Sequence, residues 1–175
     1  MNPELEAKID KIRLIVLDAD GVLTNGNINV DHNGAEFKMF NVQDGLGIVI
    51  WRKQGFKTAI ISARPCRAVQ ARAADLKIDH VYLNAFPKTV AYDQLLRETG
   101  LSEENVCFVG DDLTDLAVLK RSGLSVAVAN AVAEVKQQAD YVTEKPGGSG
   151  AVRELIELLL KTKGRWQAVL EEFTS

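Results

Sequence analysis

Six short apolar runs set the limits on what this chain can fold into: Leu14 to Leu17, Thr58 to Ile61, Val81 to Leu83, Val106 to Val109, Ser125 to Val128 and Tyr141 to Val142. Turn residues bound the runs. Between them lie longer stretches with helical periodicity, over Gly45 to Gln54, Pro65 to Leu76, Thr89 to Thr99, Leu113 to Ser122 and Val132 to Gln138. Strand-length runs alternating with helices predict an α/β fold, a Rossmann-like parallel sheet with helices on both faces. Pro65 suits a first helical turn, and Gly55, Gly100 and Gly123 suit helix C-terminal stops. A last helix over Ala151 to Lys161 and a short amphipathic tail over Trp166 to Phe173 close the chain.

One segment breaks this rhythm. Between Asn27 and Asn41, Asn33-Gly34 separates two short runs able to alternate their faces, which predicts an antiparallel β-hairpin flap inserted after the first strand. With 175 residues, 46% of them hydrophobic and 26% charged, one domain over residues 1–175 is large enough to bury its own core.

The bulk properties exclude several function classes. A net charge of -3 argues against a nucleic-acid partner, which needs a basic face. Cys66 and Cys107 are too few for a disulfide framework and fit reduced thiols in a cytoplasm. Met1 to Lys11 mixes acidic and basic groups, unlike a signal peptide, and no run is long enough to span a bilayer, so no membrane partner is expected.

In open parallel sheets ligands bind outside the carboxyl ends of the strands. There the chain places Asp18 and Asp20, then Ser62 and Arg64, then Lys88, then Gly110-Asp111-Asp112. A carboxylate, with a reference pKa of about 3.9, is ionised at neutral pH, so Asp18 is able to attack phosphorus without an activating base. Asp20, two residues on, is placed to protonate the leaving alcohol and then to activate water. Gly21 allows a tight bend whose backbone N–H groups cradle phosphate oxygens. Like charges about 4 Å apart repel by ~4 kcal/mol at an effective dielectric of about 20, so Asp18, Asp111 and Asp112 beside a phosphate require a cation. Oxygen-only ligands favour Mg²⁺, held by the Asp18 and Asp111 carboxylates and the Asp20 carbonyl, with Asp112 supporting them from behind. Lys88, at a helix start where the dipole disfavours a cation, needs a negative partner such as phosphate. Ser62 offers a hydroxyl and an N–H to the same phosphate. Asp115 is expected to serve structure, by capping the next helix, and the glycines after Pro146 read equally as a flexible turn. His32 and His80 lack any metal-ligand spacing.

The runs Asp18-Ala-Asp-Gly-Val-Leu-Thr24, Ser62-Ala-Arg64, Lys88 and Gly110-Asp-Asp-Leu-Thr-Asp115 together resemble the haloacid dehalogenase superfamily. Phe40-Asn41-Val42, Asp44-Gly45 and Gly147-Gly-Ser-Gly-Ala-Val-Arg-Glu154 narrow the resemblance to the 3-deoxy-D-manno-octulosonate 8-phosphate phosphatases, over Ile12 to Leu160. That resemblance implies a capless, Mg²⁺-dependent phosphatase acting on a sugar-acid phosphate on the route to lipopolysaccharide. It also implies a homotetramer whose flaps associate and whose glycine-rich C-terminal segments reach toward a neighbour's site. Ser62, Ala63, Arg64, Lys88 and Arg153 are then substrate and phosphate contacts, though Arg153 equally suits an ion pair on the helix surface. Ala19 and Ser62-Ala63 depart from the usual valine or isoleucine and Thr-Gly. Ser149 stands where arginine is common, and Arg64 where the nine-carbon sugar-acid phosphatases carry glutamate, so eight- and nine-carbon substrates both stay open. A phospho-receiver domain is excluded because no aspartate follows the third run, and a silent scaffold would not need Asp18, Asp20, Lys88 and Asp111 together.

Overall fold

β1 (Leu14–Leu17) is buried along its whole length, which requires a neighbour on each side and cover on both faces. A computed structural model, which describes residues 2–174, supplies both. β1 pairs in parallel with β4 (Lys57–Ile61) and with β6 (Val106–Gly110), so that Leu17 lies beside Ile60 and Val109. β5 (His80–Tyr82) extends the sheet beyond β4, while β7 (Leu124–Ala127) and β8 (Tyr141–Val142) extend it beyond β6. The chain therefore moves outward from β1 in one direction, returns, and moves outward in the other. That reversal between β1 and β6 is the topological switch point where such sheets bind ligands. Met1 and Ser175, the ends of the expected domain, lie outside the described residues.

Because parallel crossovers are right-handed, the two directions of travel place helices on opposite faces. α2 (Val42–Lys53) packs with α7 (Ala151–Thr162), and α1 (Pro3–Lys11) and α8 (Trp166–Glu172) pack on α7. On the other side α4 (Lys88–Thr99), α5 (Leu116–Leu119) and α6 (Ala133–Gln138) form a second group. α3 (Arg67–Asp75) joins β4 to β5. Among the described residues no helix is long and apolar enough to cross a membrane.

Several elements differ from expectation for identifiable reasons. α1 was not expected, because its periodicity is carried by charges and Ile9 is its one buried residue. The Asn2 side chain caps it, acidic residues open it and Lys8 and Lys11 close it, as the helix dipole favours. α2 begins three residues before Gly45, with Asn41 accepting from the N–H groups of Gln43 and Asp44. Gly47 lies inside this helix because a Cβ there would stand 3.3 Å from the Cα of Arg153, so the glycine lets α7 approach. Pro65 precedes the N-cap Cys66 instead of entering α3. The expected helix over Leu113 to Ser122 is one tight turn, Leu113–Asp115, followed by the short α5. Gly123 is not a helix stop; a Cβ on it would meet the Glu104 carbonyl oxygen at 2.4 Å.

The flap is present as β2 (Asn29–Val30) paired antiparallel with β3 (Glu36–Phe37). Its turn is longer than Asn33-Gly34 alone. Asp31 organises it, its carboxylate accepting from the N–H groups of Asn33 and Ala35, with Gly34 at φ 81°.

A buried carboxylate joins α2 to α7. Asp44 accepts from the N–H of Gly150 at 3.1 Å and of Arg153 at 2.8 Å, and so caps the first turn of α7 from a neighbouring helix. Replacing Asp44 with alanine orphans both donors and should lower the unfolding free energy by about 2 kcal/mol. In urea this appears as a lower midpoint with an unchanged slope; an unmoved midpoint would show that the clamp contributes nothing.

Candidate active site

The site begins where β1 ends. Asp18 continues the strand, its N–H donating to the Val109 carbonyl, and then the chain bends sharply over Ala19–Leu23. Gly21 takes φ 93°, and a Cβ there would lie 1.9 Å from Asp111 Oδ2, so only glycine lets the acidic loop after β6 close against this bend. The Gly21 N–H is not free to cradle a phosphate, as it donates to Thr24 Oγ1 at 3.3 Å.

Lys88, the first residue of α4, is buried and donates to Asp18 Oδ1 at 2.5 Å and Asp115 Oδ1 at 2.6 Å. Asp115 Oδ2 accepts from the N–H groups of Asp111 and Asp112 at 2.9 and 3.2 Å. Asp115 therefore shapes the whole acidic loop, beyond the helix-capping role expected of it. Gly110 makes room, since a Cβ on it would lie 2.6 Å from that of Asp115. Oxygens of Asp18, Asp111 and Asp115 all lie within 4.8 Å of one another.

Burial dominates the electrostatics. It pushes the Asp18 carboxyl up to about 7, against the opposing pull of the Lys88 ammonium. It pushes Asp111 up to about 8, with repulsion from Asp18, Asp115 and Asp112 adding to it. Burial works against the Lys88 charge, yet Asp18 and Asp115 hold its pKa above the ordinary lysine value. Carboxylates that would otherwise hold protons at neutral pH make a site that fits a cation. Asp115 has both oxygens engaged, which leaves Asp18 and Asp111 as donors. An all-oxygen pair of this kind, open to water and substrate, suits Mg²⁺.

The remaining expected residues divide. Asp20 faces the flap: its Oδ1 is ion-paired with Lys38, and Arg64 Nη1 lies 3.9 Å from its Oδ2. Glu36 links both cations, 2.8 Å from Lys38 and 3.0 Å from Arg64. Ser62 is buried at the end of β4, but its N–H donates to the Tyr82 carbonyl and cannot also hold a phosphate. Its hydroxyl accepts from the Arg64 N–H at 3.4 Å, with Ala63 between them. Asp112 is exposed and caps the turn at Leu113. Arg153 is not drawn to the carboxylates; its Nε pairs with Glu157 at 2.8 Å and its guanidinium lies over the Trp166 ring.

The glycine-rich segment forms a turn over residues 147–150 that packs on its own chain. Gly147 and Gly148 lie on the backbone of the bend after β1, where Cβ atoms would come 1.7 Å from the Gly21 oxygen and 2.5 Å from the Thr24 carbonyl carbon. Asn130 joins the two strands of backbone, its amide donating to the Gly21 carbonyl while its Oδ1 accepts from the Gly147 N–H. Asn130 was overlooked, although it follows the fifth apolar run and the strand-end rule extends to it. Glu36 and Lys38 were overlooked as well; two charged residues two apart on a strand share a face, and that was the available signal.

The sequence and the fold recur in known proteins. The haloacid dehalogenase-like hydrolase family matches residues 81–155. The chain is 44% identical over 165 residues to the 3-deoxy-D-manno-octulosonate 8-phosphate phosphatase of Salmonella typhimurium, covering 94% of this chain and 88% of that protein. This chain belongs to the 3-deoxy-D-manno-octulosonate 8-phosphate phosphatase family. The Moraxella catarrhalis member, crystallised with magnesium, phosphate and KDO, superposes with a TM-score of 0.96 at 35% identity over 99% of both chains. The Yersinia pestis member superposes with a TM-score of 0.93 at 38% identity, over 95% of this chain and 90% of that one.

Raised carboxyl pKa values give the site a signed pH dependence. In the metal-free protein Asp18 and Asp111 favour the folded state while protonated, and that contribution is lost as pH rises through about 7 and about 8. Mg²⁺ competes with those protons. Thermal stabilisation by saturating Mg²⁺ should therefore be larger at pH 8.5 than at pH 5.5, and titration at pH 7 should release protons into the buffer. Equal stabilisation at the two pH values would contradict this account.

Proposed function

We propose that this chain, as a single catalytic domain, hydrolyses 3-deoxy-D-manno-octulosonate 8-phosphate through a phosphoaspartate on Asp18. The observation that carries this reading is the carboxylate at the end of β1, clamped by buried Lys88 and facing Asp111 across the switch point. Lys88 leaves one Asp18 oxygen to form the bond to phosphorus as the ester bond to the sugar breaks. Asp20 gives its proton to the departing sugar oxygen. In the second half-reaction Asp20 takes a proton from water, the water oxygen bonds to phosphorus, and the Asp18–phosphorus bond breaks to release phosphate. Mg²⁺, held by the Asp18 and Asp111 carboxylates and the Asp20 carbonyl with Asp112 behind them, offsets the charge of the phosphoryl group when bound.

Ser62 and Ala63 border the phosphate. Arg64 keeps 42% of its side chain exposed beside Asp20, which supports recognition of a substrate that carries its own carboxylate. Asp18→Asn should reduce magnesium-dependent phosphate release by at least about 10³-fold. Release by the variant at the wild-type rate would remove Asp18 as nucleophile, whereas preference for a nine-carbon sugar-acid phosphate would revise only the substrate.

The same reading includes a cytoplasmic homotetramer. Two free buried cysteines fit a reducing compartment. Ile28, Val30, Phe37 and Met39 leave the flap with an exposed apolar surface, between 51% and 69% open, that suits association with other flaps. Phe37→Glu should shift sedimentation from tetramer toward smaller species; an unchanged tetramer would place the interface elsewhere.

A further inference from the structure

We propose that Lys38, on the flap, is a positioning residue for Asp20: it holds one carboxylate oxygen so that the other faces the leaving group. This inference rests on Asp20 acting as the acid and base of the reaction.

Lys38 follows β3 and shares a strand face with Glu36, so both side chains turn inward while Phe37 turns out. Its side chain has no exposed surface, although the hairpin carrying it is a two-stranded arm outside the main sheet. A lysine buried at the end of such an arm needs fixed partners, and it has two: Asp20 Oδ1 and, at 2.8 Å, Glu36 Oε1. Glu36 is itself steadied by Arg64 at 3.0 Å. Among the described residues Lys38 is the lysine paired with Asp20, while Lys88 is committed to Asp18 and Asp115.

The consequence follows from the symmetry of a carboxyl group. Its two oxygens are chemically equivalent, and free rotation presents either one to the substrate. An ammonium held on Oδ1 removes that equivalence and leaves Oδ2 for proton transfer. Arg64, at 3.9 Å from Oδ2, is too far to hydrogen-bond to it directly. The flap thus completes the acid–base group from a separate piece of chain.

The test uses two substrates that differ in their need for a proton. A sugar-acid phosphate has a poor alkoxide leaving group; p-nitrophenyl phosphate has a good one. With Lys38→Met, turnover of the sugar-acid phosphate should fall about 10²-fold with little change in KM. With p-nitrophenyl phosphate, formation of the phosphoenzyme should stay within about 3-fold of wild type while its hydrolysis slows, because only the second half-reaction then needs Asp20. A burst of p-nitrophenolate matching the enzyme concentration is the expected signature. Lys38→Arg should restore part of the sugar-phosphate activity, and Lys38→Met should add little to Asp20→Asn. Equal slowing of both substrates without a burst, or wild-type rates on both, would overturn the role given to Lys38. If Asp20→Asn itself shows no dependence on the leaving group, the acid–base assignment fails first, and the proposal falls with it.

Discussion

Three carboxylates gathered around one buried ammonium govern the rest of this structure. Asp18, Asp111 and Asp115 approach within 4.8 Å, and Lys88 reaches two of them. At that range each like-charge contact costs on the order of 4 kcal/mol at an effective dielectric of about 20, and each contact with Lys88 returns a similar amount. Full ionisation leaves the group with two uncompensated negative charges, which are met either by protons, as the raised Asp18 and Asp111 values indicate, or by a divalent cation. The chemistry assigned to the site and its affinity for Mg²⁺ are thus two expressions of one charge imbalance.

Holding such a group together demands backbone at close quarters. Gly21 admits Asp111, Gly110 admits Asp115, and Gly147 lies directly on Gly21. Asn130 joins the last pair by hydrogen bonds, and Asp44 secures the start of α7 just beyond the glycine-rich segment. Every one of these contacts lies at the carboxyl edge of the sheet, where strand ends from both directions of travel meet. A rigid sheet supplies the positions, and short contacts between loops supply the precision.

The flap has two unlike faces with separate uses. Inward, Glu36 and Lys38 form a charged ring with Arg64 and Asp20. Outward, Phe37 and Met39 are apolar and exposed. Period-two alternation in a short hairpin therefore joins a charged face paired with Asp20 to an exposed apolar one.

Much of this was present in the linear chain. Apolar runs predicted all six strands of the parallel sheet, and the acidic pair at the end of the first run, with Lys88 and Asp111, located the candidate site. These features are local: burial on both faces requires a continuous apolar run, and a strand end is where such a run stops. The short α1, the split of the helix after Asp115 and the early start of α2 were not legible, because docking and capping by distant groups decided them. The same holds for the polar network. Lys88 meets Asp115 across 27 residues, Lys38 meets Asp20 across 18, and Asn130 meets Gly21 across 109. Periodicity records which face of an element a residue occupies, but not which charge it will find there. That partner is set by distance in three dimensions, which only the tertiary structure decides.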